Sequence, residues 1–255
     1  ALFAAFGALA AGVPDLLARV GVDRLAGLRV MFIIYSVVGV LVWLLYRQLP
    51  MLATQAMPNP PVALRQSRAV VTRLAALFSV DAFAGGLAVQ SLMALWLFQK
   101  FGLSISAAGT FFFATGLLSA FSQLAAPRVA SRIGLLNTMV YTHIPSSLAL
   151  IVAALASQLE VALLFLLIRA ALSQMDVPTR SAFVMAVVTP PERAAAASFT
   201  AVPRSLAAAL SPTLGGAMFA AGWMAVPLVA CGLLKITYDL LLLKTFAAVT
   251  AEHHD

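Results

Sequence analysis

The sequence is short of charge. Asp, Glu, Lys and Arg supply only 10% of its 255 residues, where a soluble domain averages about 25%. So small a supply cannot coat a water-facing surface, which excludes an ordinary soluble globule. Cysteine is almost absent as well. The lone Cys231 stands in an apolar run, so neither an intrachain disulfide nor a paired-cysteine metal site can form, and it reads as a small packing residue. Catalytic signatures are also missing: there is no HExxH, no G-x-S-x-G and no P-loop. No enzyme activity, cofactor or metal is therefore expected, and any uphill work would run on a gradient. Glu252-His253-His254-Asp255 reads as a frayed tail. The short alternating segments of a membrane barrel do not occur.

What is present is apolar. Hydrophobic residues make up 62% of the chain and mean hydropathy is +1.00, a surface that lipid alone accepts. With about 20 apolar residues per crossing, the length holds roughly eight spans. They must be helices, because each backbone polar group in lipid is satisfied within its own segment. Apolar segments occupy 1–18, 28–49, 69–98, 104–126, 135–157, 161–188, 194–221 and 223–248. The expected fold is an all-α, polytopic membrane protein of about eight transmembrane helices.

One long polar stretch, Pro50 to Arg68, carries Pro58, Asn59, Pro60, Pro61 and Arg65 and reads as a linker. It divides two helices (1–49) from six (69–250), with a tail at 251–255. Gly85-Gly86 is expected to bend the third segment, and Gly215-Gly216 suits close packing in lipid. Thr189-Pro190-Pro191-Glu192 predicts a capping box that opens the seventh helix, with Thr at N-cap, Pro at N1 and Glu at N3.

The net charge of +7 comes from arginines spread between apolar runs. No basic stripe with interleaved aromatics exists, so nucleic acid is not an expected partner. The positive-inside rule explains the charge better. A cytoplasmic linker places Arg47, Arg65, Arg68, Arg73, Arg128, Arg132, Arg180 and Arg193 on that face, against Arg19, Arg24, Arg29 and Lys100 outside. The expected location is the cell (inner or plasma) membrane. The chain starts in mid-run at Ala1-Leu2-Phe3-Ala4, which reads as a fragment and not a signal peptide.

Charges inside the apolar segments carry the functional signal, since each costs about 2.5–3.5 kcal/mol at mid-depth on insertion scales. Arg169, Ser173, Asp176 and Arg180 fall at i, i+4, i+7 and i+11, one polar stripe in which Asp176 and Arg180 can pair. Pro178 lies between them. Thr200, Arg204, Ala207 and Ser211 repeat the spacing, and Lys235 and Asp239 stand four apart beside Tyr238. His143 precedes Ser146 and Ser147, a residue able to titrate near neutral pH. Gln90 lies on a different face from Asp81, which has no helical neighbour of opposite sign and is expected to serve as a proton site or as partner to an arginine elsewhere. Arg180, Arg204 and Lys244 have snorkelling to headgroups as their bland alternative, and Lys235–Asp239 a structural pair. Together Asp81, Gln90, His143, Arg169, Asp176, Arg204, Lys235 and Asp239 are the pathway candidates.

In organisation the chain resembles the major facilitator superfamily: two helices, a polar linker and six helices correspond to the end of its first half, its central loop and its second half. Ser131-Arg132-Ile133-Gly134-Leu135-Leu136 is similar to the second-half copy of that family's loop motif, with Arg132 and Gly134 matching and Ser131, Leu135 and Leu136 departing. Asp176 to Arg180, followed by Pro191-Glu192-Arg193 and Ala194 to Ser198, resembles the junction of its tenth and eleventh helices in bacterial efflux proteins. The resemblance implies alternating access around a midplane site, with Arg132, Gly134, Arg180, Glu192 and Arg193 as gating-loop candidates. It implies a protein that is monomeric at full length. The expected activity is export of a small amphipathic compound, and Asp81, Asp176 and His143, the titratable groups at depth, make protons the expected coupling ion. The alternative is a non-transporting membrane scaffold, or an inactive fragment whose charges only pair with one another. A membrane enzyme ranks third.

Overall fold

A computed structural model describes residues 2–49 and 62–251, leaving aside the side chains of residues 24 and 248–251. Helices run in the order α1 (Leu2–Ala10), α2 (Val13–Arg19), α3 (Arg24–Gln48), α4 (Arg68–Gly86), α5 (Gln90–Phe101), α6 (Ile105–Ile133), α7 (Leu135–Leu155), α8 (Leu159–Ser173), α9 (Asp176–Val187), α10 (Arg193–Ala220) and α11 (Val226–Ala251). A 3-10 turn, Pro190–Glu192, precedes α10. No strand occurs among the described residues. Most of the expected linker, 50–61, and the end of the tail lie outside the described residues.

Seven helical stretches are long and apolar enough to cross a membrane: Leu2–Arg19, Leu25–Gln48, Arg68–Phe101, Ile105–Ile133, Leu135–Leu155, Leu159–Val187 and Val226–Ala247. The protein is an all-α, multi-pass membrane protein. Seven of the expected apolar segments, about eight in number, appear among these spans, and the remaining one is α10. α10 has the length, 28 residues, but two internal prolines, Pro203 and Pro212, together with Arg204 and its serines, threonines and glycines, dilute its apolar character below that of the others.

Three of the segments are broken helices. The third ends α4 at Gly86, where Leu87 N–H donates to the Ala84 carbonyl at 3.1 Å and Ala88 N–H to Gly85 at 3.2 Å before α5 begins. The bend expected at Gly85-Gly86 is there. Ala11 and Gly12 separate α1 from α2, whose first turn holds Pro14. The sixth segment breaks at Gln174 and Met175, so the stripe from Arg169 to Arg180 is not one continuous helix face. The break places Asp176 in the first turn of α9, where the helix dipole favours an acid, and Pro178 in the same turn, where its missing N–H costs little.

α4 packs against α10 and α11, α11 against α7, and α7 against α8 and α9; α6 lies against α8 and α1. At Gly86 the α4 backbone comes so close to α10 that a Cβ would lie 3.0 Å from the Ala208 carbonyl and 3.1 Å from Ser211 Cβ. Small residues let helix backbones approach in lipid. α3 packs on α2 and presents Phe32, Ile33 and Tyr35 outward.

Two apolar clusters fill the bundle. One gathers Leu87, Trp96, Leu97, Phe111, Leu150, Leu166 and Leu228. The other gathers Leu74, Phe78, Met139, Phe183, Tyr238 and Phe246. Along α7 the second cluster takes residues up to Val140 and the first resumes at Leu150; along α11 Cys231 belongs to the first and Leu242 to the second. The polar residues of α4, α7 and α11 fall in the gap between, so the ionisable groups form a layer inside the bundle.

Candidate functional site

Asp81 on α4 is the hub of that layer. Its carboxylate is 3% exposed and takes a cation on each oxygen: Lys235 Nζ donates to Oδ1 at 2.6 Å and Arg180 Nη2 to Oδ2 at 2.7 Å. Arg180 also donates to Asp176, one turn earlier on α9, and its guanidinium lies 5.2 Å from the centre of the Phe78 ring. His143 on α7 meets the Asp239 carboxylate through Nδ1 at 3.0 Å. Its Nε2 lies 3.3 Å from Lys235 Nζ and 3.8 Å from Asp81 Oδ1. Tyr238 stacks edge-on against the imidazole with ring centres 6.1 Å apart, and among the described residues its hydroxyl has no hydrogen-bond partner. Three carboxylates, two permanent cations and one histidine from four helices thus form one linked set.

The pairing differs from the expected one. Lys235 and Asp239 do not bond to each other along α11: Lys235 reaches α4 and Asp239 reaches α7. Four residues apart on a helix, the two diverge because each finds a buried partner of opposite character on a different neighbour. Asp81 has the arginine partner that its isolation anticipated. Arg180, a gating-loop and headgroup candidate, is 8% exposed and lies within the network; α9 turns it inward toward two acids, so it does not belong in the charge count of the cytoplasmic face.

The layer borders a cavity of about 300 Å³ lined by Asp81, His143, Ser146, Ser147, Arg169, Ser173, Asp176, Arg180, Arg204 and Lys235. The two breaks that interrupt α4–α5 and α8–α9 adjoin it, through Gly85, Gly86 and Gln174. Of the expected α10 face, Arg204 reaches this cavity, while the Thr200 hydroxyl turns back to the Ala196 carbonyl at 2.9 Å. Ser146 donates weakly to the Arg169 carbonyl at 3.4 Å. A second cavity of about 370 Å³ shares Arg169, Ser173 and Gln174 with the first and adds Gln90, Thr115, Ser119 and Gln123 among apolar side chains. Gln90 is therefore apart from Asp81, as its spacing predicts.

The other loop candidates, Arg132, Gly134, Glu192 and Arg193, do not line the cavity. Arg132 is exposed in the last turn of α6, and Gly134 joins α6 to α7 at φ +87°, a backbone conformation that glycine adopts freely. Arg193 is exposed and its Nε donates to the Met185 carbonyl at 3.0 Å. The expected capping box does not form, since the Thr189 side chain makes no cap bond. Glu192 works elsewhere. Its Oε1 accepts from Arg65 N–H at 2.8 Å and Gln66 N–H at 2.9 Å, and its Oε2 from Ser67 N–H at 2.8 Å. These donors belong to the segment that leads into α4, ending at its N-cap residue Ser67, and they hold the carboxyl down to about 2 from 4.5. Nothing in the sequence names this partner, which lies 125 residues upstream.

No family model matches the chain, and no solved structure matches it. A curated relative is an uncharacterized membrane protein, YJR124C, of Saccharomyces cerevisiae, 25% identical over 189 residues, which cover 74% of this chain. The match spans 42% of that protein's length. The chain is similar to a membrane protein, as its own helices require.

Proposed function

We propose that the protein is a secondary active transporter of the major facilitator type, which moves a small amphipathic compound by alternating access and couples its export to protons. One observation carries this: ionisable side chains from four apolar helices are linked together and open onto a shared cavity. Intramembrane charges of this kind mark solute and ion pathways. The organisation of two helices, linker and six helices supports the family, and the broken helices at the cavity are a device that transporters use at their binding sites. The same reading puts the protein in the cell membrane with its linker cytoplasmic, as a monomer and not an enzyme.

His143 supplies a mechanism for coupling. With Nδ1–H donated to Asp239, Nε2 keeps a lone pair that accepts from Lys235. A proton added at Nε2 removes that acceptor, and the new N–H faces Asp81 Oδ1, the oxygen that Lys235 already holds. Lys235 and His143 then compete for one carboxylate. The groups facing the ring are Asp81 from α4 and Lys235, Tyr238 and Asp239 from α11, with Arg180 and Asp176 of α9 on the far side of Asp81. Protonation thus weakens a tie between α4 and α11, two helices that must part or slide for access to alternate.

The scaffold alternative draws on the complete pairing of Asp81, Asp176 and Asp239. Vesicles from cells making the protein, given an imposed pH gradient and a panel of labelled amphipathic compounds, separate the two. Wild type is expected to move at least one compound with the gradient, and D81N to lose that dependence. Transport equal to empty vesicles across the panel, or a D81N rate equal to wild type, overturns the proposal.

A further inference from the structure

The three acids of the layer are all taken: Asp81 and Asp176 by Arg180 and Lys235, Asp239 by His143. Arg169 is left over. Among the described residues no carboxylate pairs with it, although it lines both cavities at once. In the second cavity it is the one ionisable side chain, set among Gln90, Thr115, Ser119 and the hydrogen-bonded pair Gln123–Gln174 (3.2 Å), with Met93, Phe112 and Leu166 buried on the apolar side. The first cavity has four cations on its wall, Arg169, Arg180, Arg204 and Lys235, against two carboxylates, Asp81 and Asp176. Both spaces therefore carry unbalanced positive charge at a depth where charge is normally neutralised.

We infer that the transported compound is an organic anion, whose carboxylate or sulfonate head is held by Arg169 and whose apolar body lies against Met93, Phe112 and Leu166. This rests on the transporter reading and gives its substrate class. A guanidinium presents a planar fork of donors that fits a carboxylate or sulfonate two-pronged. The glutamines and hydroxyls can orient the head without adding a charge that would favour a cation.

Binding without transport tests it. The purified 255-residue chain in phosphatidylcholine nanodiscs is titrated with tritiated naphthalene-2-sulfonate, with unlabelled naphthalene-2-sulfonate and naphthalene-2-methylammonium as competitors. Saturable binding is expected, displaced by the sulfonate and not by the ammonium. R169Q should weaken it at least tenfold while R169K retains part, with circular dichroism and elution volume verifying that both variants fold. Equal displacement by the ammonium, or R169Q affinity equal to wild type, overturns the inference, and the first of these is read on wild type whatever the variants do. Nanodiscs of phosphatidylglycerol separate a lipid headgroup from a free solute: unchanged affinity is expected, and competitive loss in wild type but not R169Q assigns the site to lipid and overturns it. Failure of gradient-driven transport with binding intact leaves the anion site standing and removes only the transporter reading.

Discussion

Lys235 and Asp81, 154 residues apart, close to 2.6 Å across α11 and α4, although Asp239 stands four residues from Lys235 on its own helix. The bundle has exchanged a local pair for two long-range ones. Each then ties together helices that the sequence leaves unconnected.

D81N should therefore destabilise the protein by about 3–5 kcal/mol, because it strands Lys235 without its carboxylate in the interior. The double variant D81N/K235M should lose much less than the sum of the single losses, since Arg180 keeps Asp176 as a partner. Thermal unfolding in detergent through the four-variant cycle measures the coupling. Strictly additive losses would show that the pair contributes nothing.

Gly86 fixes the contact of α4 with α10. G86A should cost about 1–3 kcal/mol by overpacking against Ala208 and Ser211. Adding S211G should return part of that loss by removing the side chain that crowds the new methyl. If the double variant is no more stable than G86A in the same unfolding assay, the approach of the two helices is not what limits the site.

Glu192 holds the chain ahead of α4 to the turn before α10. Its carboxyl is lowered to about 2 from 4.5 by the backbone donors of residues 65–67. A depressed carboxyl gives stability that is fully present above its unfolded value of 4.5 and is lost as the pH falls through 2. The latch is accordingly constant from pH 8 to 5.5. E192Q should speed tryptic cleavage after the exposed Arg65 several-fold, by an equal ratio at both ends of that range. A ratio that changes near pH 6 would assign the latch to another group.

The sequence carried the membrane class, the segments and the broken third helix, because apolar length and paired glycines are local signals. It also carried the identity of the buried ionisable residues, since lipid makes each charge conspicuous. Partners were another matter. Lys235–Asp239 satisfied the helical spacing rule and still separated, and Thr189 to Glu192 satisfied the capping pattern while Glu192 bound the segment leading into α4 instead. Both outcomes were decided by which helices pack together, and a single sequence holds no record of that. α10 reads as an apolar segment by its alanines and leucines, yet Pro203, Pro212 and Arg204 leave it less apolar than the seven spans.

The account stands on water reaching the ionic layer from one side of the membrane. Single cysteines at Ser173 and Ala208, in a background with the buried Cys231 changed to serine, place probes on the cavity wall without touching the network. Cysteines at the outward-facing Leu148 and Leu210 serve as lipid-side references. A membrane-impermeant, negatively charged thiosulfonate, whose charge suits the cationic wall, should label positions 173 and 208 in intact vesicles and spare 148 and 210. Positions 173 and 208 as inert as the two lipid-facing ones, from both sides of the membrane, would contradict it.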